Sequence, residues 1–215
     1  MILIALAVAS QEAPQDIAKA NLPKSAVCVV CASHGETHGE ERAAAGVRYA
    51  GKSYFFCDTK EVADFKKDPE AYIPPVLPRP AAKLSAATVD GKTVSWNDYK
   101  GKVVLLDFWA TWCAPCVKAM PEMEKLQNRF AGKDFVVLGV SIDEDPKKAV
   151  AFQQKRKLSY PVLLDDPKDP SWAAWKVRAI PAVFLVDREG QVVRQWRGKV
   201  DPKAVEKAVE ELVGK

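Results

Sequence analysis

The sequence predicts an α/β sandwich, because long apolar runs alternate with helical segments and the chain closes with a hairpin and a helix. Three apolar runs in the second half of the pattern carry this prediction: VVLLDFW (103–109), FVVLGVSI (135–142) and AVFLVD (182–187). Such near-continuous runs are typical of strands that are covered on both faces. QVVRQW (191–196) follows the third run through a tight connection, which favours an antiparallel pair. The last helix is expected to begin with Asp201 as N-cap and Pro202 in its first turn.

Two modules are expected, with a stiff linker between them. IPPVLPRPAA (73–82) has four prolines in ten positions, and such a stretch is extended and cannot join a helix or a central strand. The expected divisions are a leader at 1–21, a small domain at 22–74, a proline-rich linker at 75–83 and the α/β domain at 84–215. TVDGKTVSW (88–96) predicts a hairpin around Asp90 and Gly91.

The composition is that of a globular protein and disfavours both nucleic-acid binding and a membrane-spanning helix. The 215 residues carry a net charge of +4, with 48% hydrophobic and 28% charged residues. Lysines alternate with acids along the chain, so no basic tract indicates nucleic acid. No apolar run approaches the roughly eighteen residues that a membrane-spanning helix needs. We therefore expect neither nucleic-acid binding nor a membrane span.

The N-terminus resembles the end of a secretory signal peptide. MILIALAVAS holds a short apolar run that ends in Ala7-Val8-Ala9, a small-x-small pattern typical of a cleavage site. The usual basic segment before the run is missing, since the first Lys or Arg is Lys19. A frayed apolar terminus and a start site placed too far downstream are the alternatives. We expect an extracytoplasmic protein, in the periplasm or cell envelope, with a cytoplasmic location as the alternative.

The motif WCAPC places two cysteines at the expected start of a helix. Cys113 follows the strand at 103–109, so unpaired backbone amides and the helix dipole are expected to stabilise its thiolate. Cys116 lies nearly one turn further on the same side and deeper, where it can attack a mixed disulfide at Cys113. Pro115 suits the first helical turn, and Pro121 is expected to kink the helix. The spacing therefore predicts a redox-active pair.

Three alternatives to redox activity have less support. A zinc site needs two further ligands, and the downstream module has no other cysteine and no histidine. A structural disulfide at this spacing closes too small a loop to add much stability. An inert buried pair does not fit the start of a helix. The five cysteines of the whole chain cannot pair completely, which disfavours a pure disulfide scaffold.

Two further positions are expected to serve the cysteine pair. Asp107 lies in the middle of an apolar strand, where a carboxylate that faces the core has a raised pKa and can accept the proton of Cys116. A strand-end acid that reaches water is the alternative. Ile180-Pro181 directly precedes the strand at 182–187, and a cis bond there would expose backbone to a substrate strand beside Cys113. A trans turn proline is the alternative interpretation.

These motifs together resemble the thioredoxin superfamily, and within it the TlpA/ResA-like thiol-disulfide oxidoreductases. The resemblance rests on DFWATWCAPC, the proline in the following helix, AIPAVFLVD and DPKAVEKAVEEL, and it covers about residues 80–215. It implies a thioredoxin-like sandwich, with a central mixed sheet and helices on both faces. It also implies that Cys113 attacks, that Cys116 resolves and that Pro181 is the cis proline. No cofactor is expected for this redox domain.

Substrate contacts are expected from Trp112, Ile180 and Pro181. Two positions depart from the pattern of the TlpA-like proteins. Asp107 stands where those proteins more often carry Asn, and Ala119 stands where many of them carry Glu. Both departures leave the direction of electron flow open.

The segment before the linker carries a different pattern. Five soft or borderline metal ligands lie close together in the sequence: Cys28, Cys31, His34, His38 and Cys57. Zinc and similar metals are held by four such groups, and a domain of about fifty residues gains from such a site because its core is small. YxGKxYFFC…F…DPExY, within about residues 24–74, resembles the YHS domain, a small α+β module often linked to metal handling. That family usually has a second cysteine soon after this one, where the chain has Asp58 or Glu61.

Alternatives remain open for this segment. In an oxidising compartment Cys28 and Cys31 can instead form a disulfide, and His34 and His38 can be solvated loop residues. The aromatic residues are expected to be core packing rather than a ligand surface: Tyr49, Tyr54, Phe55, Phe56, Phe65 and Tyr72.

The expected function is thiol–disulfide exchange with protein disulfides and thiols, in the reductase direction, with electrons supplied by a membrane donor. A metal-binding or metallochaperone protein, with zinc or another thiophilic ion in the N-terminal module, is the alternative from another class. A redox-sensing protein is a third hypothesis, in which oxidation of Cys113 and Cys116 reports on metal in that module.

Overall fold

The structure, a computed structural model, describes residues 13–33, 39–73, 75–198 and 200–214. The chain divides into two compact units, residues 1–74 and 75–215. Among the described residues, no helix has both the length and the apolar character needed to cross a membrane.

The N-terminal unit combines short strands with two short helices. Its elements are β1 (Gln15–Asp16), β2 (Ser25–Ala26), α1 (Val29–Ser33), β3 (Glu41–Arg42), β4 (Ala45–Tyr49), β5 (Lys52–Phe56) and α2 (Val62–Lys67). Strands β1, β4 and β5 form one antiparallel sheet, and β2 pairs with β3. Tyr49, Phe56 and Phe65 are buried in its core, and the rings of Phe56 and Phe65 meet edge to face at 5.2 Å. Core packing is therefore confirmed for these three aromatic residues.

The C-terminal unit contains all of the long strands and helices. Its strands are β6 (Arg79–Pro80), β7 (Ser85–Thr88), β8 (Thr93–Ser95), β9 (Val103–Trp109), β10 (Phe135–Ser141), β11 (Val162–Leu164), β12 (Ala182–Val186) and β13 (Gln191–Arg197). Its helices are α3 (Ala114–Arg129), α4 (Pro146–Arg156), α5 (Ser171–Ala174) and α6 (Pro202–Val213). The three long apolar runs are thus strands, and every residue of β9, β10 and β12 is buried.

One mixed sheet organises this unit, in the order β6-β13-β12-β9-β10-β11-β7-β8. The central strands β9, β10 and β11 run parallel, while β12 and β13 are antiparallel to their neighbours. The expected hairpin is β7–β8, and Gly91 in its turn has a positive φ of 84°. Helix α6 begins as the sequence predicts, with the Asp201 side chain accepting a hydrogen bond from the Lys203 N–H.

Hydrophobic clusters cover both faces of the sheet. On one face, α3, α4 and α6 pack against β9, β10 and β12, and this cluster includes both cysteines of the WCAPC motif. On the other face, the buried Trp175 and Val177 follow the short helix α5 and pack against Phe108 and Phe184. The sandwich with helices on both faces is confirmed, and the second face carries the short helix α5 and a 3-10 helix at Trp96–Tyr99.

The strand pairings differ from two of the expected divisions. The linker was expected over 75–83, but Arg79–Pro80 is an edge strand that pairs with Val192 and Gln191 of β13. An edge strand tolerates proline because one side of it needs no ladder hydrogen bonds. The leader was expected to extend to residue 21, but Gln15–Asp16 pairs with β4 and so belongs to the folded N-terminal unit. The run at 1–9 lies outside the described residues.

Candidate functional site

The cysteine pair occupies the N-terminus of α3. Cys113 is the N-cap residue of this helix, and the Cys116 N–H donates a hydrogen bond to Cys113 Sγ at 3.3 Å. Pro115 lies in the first turn, as expected, and the helix continues past Pro121 to Arg129. A sulfur that accepts a backbone N–H at a helix N-terminus is stabilised as a thiolate once the pair is reduced.

The two cysteines form a disulfide, with an S–S distance of 2.01 Å. Their exposures differ in the way that the proposed roles require. Cys113 retains 4% of its surface, whereas Cys116 has none. Of the two, only Cys113 therefore offers surface to a substrate sulfur, which agrees with the expected attacking role of Cys113 and resolving role of Cys116. The expectation that Cys116 lies deeper is confirmed.

Asp107 faces the interior on the same side of the sheet as the cysteines. Side chains alternate along a strand, and the neighbours of the same parity, Leu105 and Trp109, both belong to the cluster that contains Cys113 and Cys116. Asp107 is 2% exposed, and burial raises its pKa from 3.8 to about 7. The alternative of a strand-end acid that reaches water is wrong. A carboxyl with a pKa near neutrality suits proton transfer at physiological pH.

The expected substrate residues lie in different environments. Trp112 is 66% exposed next to Cys113, whereas Ile180 is half-buried and packs against both hydrophobic clusters. The Ile180-Pro181 bond is cis, as predicted, and the Pro181 carbonyl accepts a hydrogen bond from the Gly198 N–H at 3.0 Å. A groove of about 410 Å³ is lined by Pro181 and by Pro115, which lies between the cysteines. The substrate-binding roles of these residues stay predictions.

Asp143 is a site residue that the sequence analysis missed. Its carboxylate accepts hydrogen bonds from the Thr111 N–H at 2.9 Å, from Thr111 Oγ1 at 2.7 Å and from Ser141 Oγ at 2.8 Å. It therefore holds the loop that leads into Cys113. A signal was available, because β9 and β10 are parallel and polar residues that follow them meet at one sheet edge.

The cysteines of the N-terminal unit also come together. The sulfur atoms of Cys28, Cys31 and Cys57 all lie within 4.8 Å of one another, and those of Cys31 and Cys57 are 3.7 Å apart. The Cys28 sulfur is 3.9 Å from Glu61 Oε2. His34 and His38, the other expected ligands, lie outside the described residues.

The three thiols have different acidities. Burial acts to raise the pKa of Cys28, but hydrogen bonds from the backbone at Cys31, Cys57 and Val30 outweigh it and lower that pKa. The pKa of Cys57 is raised to about 12, first by its hydrogen bond with Cys28 and then by burial. Cys28 is therefore the first of the three to ionise, and its negative charge holds protons on the others.

This site is that of a thioredoxin-like thiol-disulfide oxidoreductase. It has a disulfide at a helix N-terminus with one accessible and one buried sulfur, and a buried carboxyl lies on the mixed sheet. Comparison with known proteins gives the same class. The family model called Redoxin matches residues 77–212, and the chain belongs to this family.

Two curated relatives and one solved structure agree with this assignment. The thioredoxin-like protein YneN of Bacillus subtilis is 36% identical over 132 residues, which span 60% of this chain and 76% of that protein. The thiol-disulfide oxidoreductase ResA of Bacillus thuringiensis is 29% identical over 132 residues, 61% of this chain and 76% of that protein. An exposed lipoprotein thioredoxin of Streptococcus pneumoniae is similar in structure, with a TM-score of 0.54 and 31% identity, and the match covers 61% of this chain and 100% of that chain.

The family match begins at residue 77 and leaves the N-terminal unit outside it. The resemblance of that unit to the YHS domain stays a prediction.

Proposed function

We propose that this oxidoreductase reduces disulfides of protein substrates outside the cytoplasm. The observation that carries the proposal is the difference in access between the 4% exposed Cys113 and the fully buried Cys116 at the start of α3. The Cys113 thiolate attacks one sulfur of the substrate disulfide, forms a mixed disulfide and releases the other substrate sulfur as a thiolate. Cys116 then attacks Cys113 Sγ, which forms the Cys113–Cys116 disulfide and releases the second substrate thiolate. Two electrons pass to the substrate, and a membrane dithiol donor restores the reduced pair.

The charge next to the pair supports the reductase direction. Asp107 lies in the same packed layer as Cys116, and a buried carboxylate disfavours a second negative charge in its neighbourhood. It therefore disfavours the reduced, thiolate-bearing form relative to the disulfide, which makes the pair a better reductant. The helix N-terminus has the opposite effect, because it stabilises the Cys113 thiolate and so favours the reduced form. The reduction potential of the pair measures the net result of the two effects.

A redox titration of the Cys113–Cys116 pair against glutathione buffers tests the direction. We expect a midpoint more negative than about −180 mV, the value of a disulfide isomerase. Mass spectrometry of the peptide that carries residues 113 and 116 keeps the other three thiols out of the measurement. A midpoint of about −120 mV, typical of a dithiol oxidase, would instead indicate that the pair oxidises substrate dithiols.

The extracytoplasmic location is supported by the apolar run that ends in Ala7-Val8-Ala9. It is also supported by the similarity to a thioredoxin that is an exposed lipoprotein. An oxidising compartment supplies the disulfide substrates on which a reductase acts.

A second function, metal binding in the N-terminal unit, is favoured by the cluster of Cys28, Cys31 and Cys57. Zinc–thiolate bonds of about 2.3 Å in a tetrahedron place sulfur atoms about 3.8 Å apart. The 3.7 Å between the sulfurs of Cys31 and Cys57 fits that spacing. Among the residues that the structure describes, Glu61 beside Cys28 is the candidate for a fourth ligand. It lies near the place where YHS-like domains usually carry a cysteine. A bound Zn²⁺ would add a structural link to this small unit.

Cobalt(II), a spectroscopic substitute for zinc, tests this site. The reduced protein is expected to bind one equivalent with the intense charge-transfer absorption of metal–thiolate bonds, and zinc should displace it. Cys57→Ser should weaken binding by about 100-fold or more, because it removes one of the thiolate ligands. Glu61→Gln, compared with His34→Ala and His38→Ala, identifies the fourth ligand. Binding that is unchanged in Cys57→Ser, or that moves to Cys113 and Cys116, contradicts the proposal.

A further inference from the structure

Three buried polar atoms near the centre of the sheet have no hydrogen-bond partner: Asp107 Oδ1, Trp109 Nε1 and Tyr160 Oη. Their side chains are at most 2% exposed. Orphaned buried polar groups are rare in folded proteins, and each costs about 1–3 kcal/mol unless something compensates it. Three of them in one region therefore call for a functional explanation.

These three groups converge at Gly139. In the parallel pair β9–β10, Gly139 lies directly opposite Asp107. A Cβ atom at position 139 would stand 3.0 Å from Trp109 Nε1 and 3.2 Å from Tyr160 Cε2. The indole and the phenol thus occupy the space that a side chain at 139 would fill, beside the carboxyl of Asp107. Burial raises the pKa of Tyr160, and the charge of Asp107 raises it further, so the hydroxyl keeps its proton.

Other groups around Asp107 do not supply a donor of this kind. The facing position on β12 is Val183, and helix α6 contributes Val205, Ala208 and Val209 to this cluster. Helix α3 contributes Cys116, and its N-cap residue Cys113 belongs to the same cluster. Glu124, also on α3, carries a negative charge and acts on Tyr160. Among the described residues of this cluster, the buried side-chain donors without a partner are the Tyr160 hydroxyl and the Trp109 N–H.

Tyr160 also forms part of the wall of a surface groove. It lines a groove of about 570 Å³ together with Val89, Gln153 and Leu158. The preceding residue is tied to the redox helix, because the Ser159 N–H donates to Glu124 Oε1 at 3.1 Å. The Cys116 thiol has no access to solvent, so its proton must leave through the interior, and Tyr160 stands on the side where a groove opens.

We infer that Tyr160 is a positioning residue for the resolving step, whose hydroxyl donates to the Asp107 carboxylate through one water and keeps Asp107 able to accept the Cys116 proton. Trp109 Nε1 is the second donor of the same pocket. Cys116 gives its proton to Asp107 as its sulfur attacks Cys113, and Asp107 later releases that proton toward the groove at Tyr160. The inference rests on the proposed proton-accepting role of Asp107.

Tyr160→Phe tests this inference, because it removes only the hydroxyl. The reduced protein is mixed with Ellman's reagent, quenched with acid, and the mixed disulfide at Cys113 is followed by mass spectrometry as it converts to the Cys113–Cys116 disulfide. In the wild type, the rate of conversion should rise with pH through about 7, the pKa of Asp107. In Tyr160→Phe the midpoint should move up by about one pH unit and the rate at pH 7 should fall about fivefold, because a hydrogen bond to the charged form is lost.

Two comparisons separate positioning from packing. Tyr99→Phe is the matched control, since Tyr99 lines the same groove while Asp98, not Asp107, is the charge that acts on it; its midpoint should equal that of the wild type. In an Asp107→Asn background, Tyr160→Phe should have no further effect on the pH profile. A pH profile of Tyr160→Phe that overlays the wild type overturns the inference and leaves the role of Asp107 intact. An Asp107→Asn profile that overlays the wild type removes the role of Asp107, and the inference with it.

Discussion

Replacing Cys113 with serine is expected to abolish the reduction of protein disulfides, with a loss on the order of 10³-fold or more in turnover. The thiolate is the nucleophile, and a serine hydroxyl at the same helix N-terminus stays protonated and cannot form a disulfide. Insulin reduction with dithiothreitol as the electron source measures the loss. Equal rates for the wild type and the variant would remove the assignment of Cys113 as the attacking group.

Cys116→Ala is the matched partner of this variant, because it keeps the attacking sulfur and removes only the resolving one. It should carry out the first step once and then stop, with one equivalent of substrate thiol released and a mixed disulfide left at Cys113. Expressed in the native organism, it should accumulate its substrates, and envelope proteins are expected among them. The double variant Cys113→Ala/Cys116→Ala is the control, and capture of the same proteins by that control would contradict the mechanism.

Replacing Asp107 with asparagine is expected to stabilise the protein above pH 7 by up to about 4 kcal/mol. Burial raises the pKa of Asp107 from 3.8 to about 7. Between these two values the folded protein keeps a proton that the unfolded chain releases, so the free energy of unfolding falls as pH rises through this window. Asparagine carries no charge at any pH, so the gain should be absent below about pH 4 and complete above about pH 7.

Urea denaturation of the oxidised protein at a series of pH values measures this gain. Asp166→Asn, at an exposed position, is the control for the loss of a surface carboxylate. The same Asp107→Asn protein should resolve mixed disulfides about 100-fold more slowly, since the group that accepts the Cys116 proton is gone. A variant that is equally stable to the wild type at pH 4 and pH 8 would show that Asp107 is ionised in the fold without cost.

The linear pattern of residues was sufficient for the core of the fold. The runs at 103–109, 135–142 and 182–187 could be assigned as strands because a strand buried on both faces needs apolar residues at every position. The start of α6 at Asp201 and the cis bond before Pro181 were also predictable, since proline and an N-cap act on their immediate neighbours. The edge strand at Arg79–Pro80 was not, because its partner lies more than a hundred residues away.

The site residues also differ in whether the local sequence was enough to predict them. Cys113 and Cys116 could be assigned from their own neighbourhood, as a CxxC motif that follows a strand and opens a helix. The support of Thr111 by Asp143 and the contact of Glu61 with Cys28 could not, because they join residues about thirty positions apart. Their geometry depends on where separate elements pack.

The sequence by itself determined that a reactive sulfur stands at the start of a helix after a buried strand, because the amides and dipole that activate it belong to its own helix. Only the tertiary structure decided which buried polar groups share the hydrophobic cluster of the partner sulfur. The register of β9 against β10 brings Asp107 beside Gly139, and the packing of a distant loop adds Tyr160 at the same place. Strand register and side-chain packing are cooperative properties of the whole sheet, so no local stretch of sequence contains them.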